Sequence, residues 1–143
     1  MLRTEVTVLI QASPERVWDA VSNVEDMPNW TSSMTSVRVD SPGVMGVGAT
    51  ARIKQPKLGT LRWRVTDWAP GRSFVWVARR GGVAAVAGHE IEPTEQGVRL
   101  TLSVEQSGLL ARPAAALTGR LTRRYLTLEA DGIKKASEAD STR

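Results

Sequence analysis

His89 is the only histidine in the chain, and there is no cysteine. A single imidazole can take or give a proton near neutral pH. Without thiolates or a second imidazole it cannot assemble a zinc site, and disulfides and cysteine nucleophiles are excluded. No metal and no other cofactor is expected. No glycine-rich phosphate loop, nucleophile elbow or HExxH motif occurs. Glu90 and Glu92 fall in the strand phase opposite Ile91, which argues against a paired-carboxylate glycosidase site. His89 shares its phase with Ala85, Ala87 and Ile91. It therefore reads as a polar group facing inward, either beside a ligand or hydrogen-bonded in the interior, with an outward position as the alternative where the strand bulges at Gly88. Tyr125, the only tyrosine, lies on the inward stripe of a helix, where a buried phenol needs a partner.

The remaining candidates are aromatic and basic. Trp30, Trp63 and Trp76 suit the walls of a pocket for a flat or apolar ligand. Ordinary core packing is the competing reading, and the preferred one for Trp18 and Trp68. Arg52, Lys54, Arg62 and Arg64 share an outward phase, and together with Arg79 and Arg80 they would form a basic stripe. Such a stripe admits peripheral contact with a membrane surface or with phosphate. No stacking aromatics interleave with it, so a solvated sheet face is favoured and no specific nucleic-acid partner is expected. A net charge of +4 in 143 residues is too small to argue otherwise.

The elements that must hold these residues follow from periodicity. "LRTEVTVLI" alternates, so residues 2–10 form a half-buried strand. Ser13 is a helix N-cap, Pro14 suits the first helical position, and Val17, Ala20, Val21 and Val24 repeat at helical spacing. Asn23 and Asp26 mark a second short turn of helix that Pro28 limits. Strand patterns then run through "MTSVRVD", "ATARIKQ", "LRWRVTDW", "SFVWVA", "VAAVAGHEIEP" and "VRLTLSVEQ", with "SPGVMGVG", "PKLG", "APGR", "RRGG" and "TEQG" as turns. "SFVWVA" is apolar in both phases, so its inward face is left open. From Leu110 to about Lys135 the period becomes helical, with Leu110, Ala114, Leu117, Leu121, Tyr125 and Leu128 on one stripe. At about 1.5 Å per residue this helix spans roughly 40 Å. Residues 137–143 read as a flexible tail.

The expected architecture is α+β. A curved antiparallel sheet of about seven strands wraps one long C-terminal helix, and two short helices follow the first strand. One domain covers 1–143, with its core in about 2–136. "MLRTEVTVLIQ" lacks the apolar region of a signal peptide, and no apolar run reaches a membrane span. A cytoplasmic protein, monomer or homodimer, is expected.

Three stretches carry a family resemblance: "VLIQASPERVWDAVSNVEDMPNW", "VTDWAPGRSFVW" and "HEIEPTEQGVRLTLSVE". They resemble the Bet v 1-like, START-related superfamily (SRPBCC), and within it the polyketide cyclase/dehydrase-type branch, over about residues 2–136. The resemblance implies a helix-grip fold with a cavity between sheet and helix that binds an apolar or aromatic small molecule. It transfers no catalytic motif. The expected lining is Trp30, Trp63, Val65, Trp76, Ala87, His89, Leu100, Leu102, Leu117, Leu121 and Tyr125. The function expected first is binding of a lipid, isoprenoid or polyketide-like compound. The alternatives are a polyketide cyclase or dehydratase using His89 or Tyr125 for proton transfer, and a protein that meets a membrane or macromolecule through its basic face.

Overall fold

A computed structural model describes residues 2–40 and 45–139. Part of the turn expected at "SPGVMGVG" and residues 140–143 lie outside the described residues. Strand β1 (Leu2–Ile10) leads into helix α1 (Pro14–Ser22) and a 3-10 helix (Val24–Asn29). Strands β2 (Ser36–Val39), β3 (Thr50–Gln55), β4 (Gly59–Ala69), β5 (Ser73–Arg80), β6 (Val83–Thr94) and β7 (Gly97–Ser107) follow, and helix α2 (Ala111–Ala139) ends the chain. All neighbouring strands are antiparallel, in the order β1-β7-β6-β5-β4-β3-β2. This is the helix-grip arrangement. A register shift between Val65 and Asp67 interrupts the β4–β5 ladder, a local irregularity of the kind that bends a sheet.

The apolar phases of the strands meet in one core. Ile10, Ala51, Ile53, Trp63, Val65, Leu100 and Leu102 are all buried there. β5, whose phase its sequence leaves open, turns Phe74, Trp76 and Ala78 inward. β6 continues one residue past Pro93, which pairs with Val98.

α1 begins as its sequence dictates. The Ser13 hydroxyl accepts from the Arg16 amide at 3.2 Å, with Pro14 in the first turn. Asn23 makes no side-chain cap on the 3-10 helix that follows. Asp26 instead accepts from Asn29 Nδ2 at 2.7 Å and from Trp30 Nε1 at 2.9 Å. Trp18 stacks edge-on against Trp68, with ring centres 5.2 Å apart, and against Phe74 at 6.3 Å. These contacts close one end of the sheet.

α2 is seated by its second half. Leu126, Ala130, Ile133 and Ser137 are buried at helical spacing. This face, rather than the stripe through Leu117 and Leu128, is the one that meets the core. The helix also runs on through residues 137–139, where the sequence suggests a tail, and Ser137 Oγ donates to the Ile133 carbonyl at 2.7 Å. Lys134 Nζ reaches the Leu9 carbonyl at 2.8 Å, and Glu138 Oε2 accepts from the Gln11 amide at 2.7 Å. Together they tie the helix to the end of β1. Gly132 lies so close to the 3-10 segment that a Cβ there would come within 2.8 Å of the Trp30 carbonyl oxygen.

Gly132 and Gly119 therefore predict opposite outcomes on one helix. Gly132→Ala should destabilise the protein by about 1–3 kcal/mol, because backbone must shift to admit the methyl. Nothing lies within 4 Å of a Cβ at Gly119, so Gly119→Ala should stabilise by up to about 1 kcal/mol. Urea denaturation of the two variants measures both.

Candidate functional site

Between Ala111 and Tyr125, α2 buries no residue. The first half of the helix therefore stands away from the sheet, and a cavity of about 550 Å³ lies beneath it. Trp76, Ala87, His89 and Leu102 form its floor on β5, β6 and β7. Ile53 and Trp63 wall one side, and Thr118, Thr122, Tyr125 and Glu129 face it from α2. Ala85 and Gly88 also line it. Gly88 is held bare by its neighbour, since a Cβ there would come within 2.7 Å of Ser103 Oγ.

His89 is fixed in both orientation and tautomer. Its Nδ1 lies 3.2 Å from the Phe74 carbonyl oxygen, which can only accept. Nδ1 therefore carries the hydrogen, and Nε2 keeps its lone pair. The ring stacks on Phe74 with centres 3.9 Å apart and planes 7° apart, and meets Trp76 edge-on at 5.5 Å. Burial among these rings holds the imidazole pKa down to about 4, against the opposing pull of the Phe74 carbonyl. His89 is neutral at pH 7.

Glu129 is the second titratable group in the wall. Burial pushes its carboxyl up to about 8, opposed by Gln55 Nε2, which lies 3.5 Å from Oε1. At pH 7 it is mostly a neutral acid that can donate. Trp63 also lines the cavity. Its ring centre is 5.9 Å from that of Trp76, and its Nε1 is buried with no hydrogen-bond partner among the described residues.

Seven of the eleven residues expected at the site line this cavity: Trp63, Trp76, Ala87, His89, Leu102, Leu117 and Tyr125. Leu117 does so at the opening, where it is 86% exposed. Trp30 is not in the wall, because its indole is engaged by Asp26 and its carbonyl abuts Gly132. Val65 and Leu100 point inward but are sealed in the solid core, at 1% and 0% exposure. Leu121 is half-buried outside the lining. Its spacing from Leu117 and Tyr125 puts it on their side of the helix, yet it is not among the residues that line the cavity. The Tyr125 hydroxyl does not reach towards His89. It donates to the Pro56 carbonyl in the β3–β4 turn. Glu129 escapes notice in the sequence, although it stands four residues after Tyr125 and so on the same helix face.

Residues 1–138 match the family described as polyketide cyclase / dehydrase and lipid transport. The chain belongs to that family. The chain is similar to an uncharacterized protein of Mycobacterium tuberculosis, 26% identical over 76% of this chain and 78% of that protein. Among solved structures, the ZhuI aromatase/cyclase of a Streptomyces species superposes with a TM-score of 0.81 at 15% identity, over 98% of this chain and 95% of that one. The Bet v 1-like protein Ara h 8.0201 superposes at 0.71 and 13%, over 99% and 97%. Among the described residues, no helix of this cyclase/dehydrase-family chain is long and apolar enough to cross a membrane. Among those residues, no His, Asp and Glu side chains cluster in threes that could hold a metal ion.

The two shifted groups give opposite pH dependences. Glu129 holds its proton more tightly folded than unfolded, so its contribution to stability is lost as pH rises from 4.5 through about 8. His89 holds its proton less tightly when folded, so its contribution is present above pH 6.5 and lost as pH falls through about 4. Of these two, only Glu129 acts between pH 6.5 and 8, and stability should decline across that window. Glu129→Gln should flatten the decline, and His89→Phe should soften the acid limb. Urea midpoints between pH 4 and 8.5 check both slopes.

Proposed function

We propose that this protein binds a flat, largely apolar small molecule with at least one acceptor oxygen in the cavity under α2. The observation that carries this reading is a cavity of about 550 Å³ walled by Trp63, Trp76 and His89 and by small apolar residues, in which Trp63 keeps a buried Nε1 with no hydrogen-bond partner among the described residues. A ligand of two or three fused rings that buries about 200 Å² of apolar surface gains roughly 5 kcal/mol before entropic costs. The polar groups then set its orientation. Trp63 N–H and the protonated Glu129 offer hydrogen bonds, and His89 Nε2 accepts one. Among lipids, isoprenoids and polyketide-like compounds, this pattern favours the last, whose ring-bound carbonyls and phenols supply both kinds of partner. The family's description covers polyketide cyclisation alongside lipid transport.

A second reading, dehydration of a cyclised β-hydroxy ketone, is favoured by His89 and Glu129 sharing one cavity. His89 Nε2 would take the proton from the carbon beside a ketone, and Glu129 would protonate the departing hydroxyl. A C–H and a C–O bond break, a C=C bond forms, and water leaves. Tyr125, committed to Pro56, has no part in it. Binding stands first because an imidazole held to about 4 is a weak base at neutral pH.

Fluorenone and fluorene differ only in a carbonyl oxygen, which makes them probes of the Trp63 contact. Fluorenone should quench the protein's tryptophan fluorescence at lower concentration than fluorene. One hydrogen bond is worth about 1 kcal/mol, so Trp63→Phe should weaken fluorenone by roughly fivefold and leave fluorene nearly unchanged. If neither probe binds, the cavity is not a site for flat apolar ligands. Equal losses for both would remove the donor role of Trp63 alone. The enzymatic reading is checked separately with a β-hydroxy ketone whose dehydration gives an aromatic ring. There His89→Ala and Glu129→Gln should each lower turnover by roughly 100-fold or more, and unchanged turnover in both rejects it.

A further inference from the structure

The rim of the cavity carries a surface that ligand binding does not explain. Leu109 is 97% exposed, Leu117 86% and Leu110 52%. Leu109 shares a surface depression with Arg79 and Arg80 at the β5–β6 turn. A Cβ on Gly82 of the same turn would meet Leu110 at 3.3 Å, so the loop and the turn are in contact. Leu117, Arg120 and Arg124 are spaced i, i+3, i+7 on α2 and so share one helix face.

The charge of this end is of one sign. Between Gln106 and Leu128 the chain has four arginines and no acidic residue, and residues 79–89 add two arginines and again no acid. Arg79, Arg120 and Arg124 are exposed and make no ion pair among the described residues. Arg80 differs, because its guanidinium donates to the carbonyls of Leu58 and Thr60 at 2.7 and 2.9 Å. The outward sheet stripe also differs, since Arg52 and Arg62 both lie against Asp40, at 2.8 and 3.5 Å.

We propose that this rim docks on an anionic lipid bilayer, with Leu109, Leu110 and Leu117 entering the acyl region and Arg79, Arg120 and Arg124 meeting the headgroup phosphates. Leucines this bare are costly in water and lose that cost in hydrocarbon. Long arginine stems reach past them to the phosphate level. A fluid bilayer needs no shaped pocket for Leu109, whereas a folded partner would have to supply one. The opening then faces the phase in which an apolar ligand is most concentrated.

Vesicle sedimentation tests the proposal without any cavity ligand. Vesicles of phosphatidylcholine with an equal share of phosphatidylglycerol should bind the protein at least tenfold more tightly than phosphatidylcholine alone, and about 0.5 M salt should erase most of that difference. Leu109→Ser with Leu117→Ser should weaken binding at least tenfold while far-UV circular dichroism stays unchanged. Arg120→Ser with Arg124→Ser should cost roughly fivefold per arginine. Arg52→Ser with Arg62→Ser, on the sheet face, should change it less than twofold. Equal binding to both vesicles, no binding to either, or indifference to the leucine pair overturns the proposal. So does binding of polyglutamate with the same leucine dependence, which would assign the rim to an acidic protein.

Discussion

One contact decides the rest: α2 can lie against the sheet only along its second half. Gly132 lets the helix touch the Trp30 carbonyl, while Lys134 and Glu138 tie it to the backbone at the end of β1. The first half has no comparable anchor in the core. Its residues facing the sheet are Ala114, Thr118 and Thr122, opposite Ala85, Ala87 and Gly88 across the gap. Small side chains on both surfaces cannot bridge a helix held off by its far end. The hollow follows from where the helix is fastened.

The same geometry separates what the sequence states from what it withholds. Period-two alternation in β1, β4 and β7 and the Ser13–Pro14 start of α1 are local, and each was legible because backbone and burial agree residue by residue. β5 was not, since Val75 and Val77 are as apolar as Phe74 and Trp76, and only its partners choose a face. α2 misled for a related reason. Its most regular leucine stripe runs along the half that covers a void, so Leu117 is bare, while the true seat is an Ala–Gly–Ser face around Ile133. A hydropathy pattern records which residues are apolar. It does not record where a helix is pinned.

The site was legible to the same extent. His89 and Trp63 fall on the cavity side because strand phase decides direction, whereas Trp76 does so only because its partner strands choose the face of β5. Trp30 was misplaced because aromatic type alone cannot tell a wall from a clasp. Its indole has a local acceptor in Asp26, four residues earlier, a pairing visible only once the 3-10 turn is known. Glu129 was missed because a glutamate on a helix normally faces water. It lies beneath α2 because it comes one turn after Tyr125, where the helix has begun to descend onto the core.

That descent also explains why two titratable groups in one cavity are both neutral. Desolvation penalises whichever form is charged, so it lowers an imidazole and raises a carboxyl at once. His89, clamped between Phe74 and Trp76, has only a backbone carbonyl for company. Glu129 has only the Gln55 amide, too distant to hold a full charge. Had the two formed an ion pair, each would have kept the other charged, with His89 raised and Glu129 lowered. The opposite shifts mean that this part of the wall presents separate neutral donors and acceptors, and a cation entering it would lose its hydration without gaining a counter-ion.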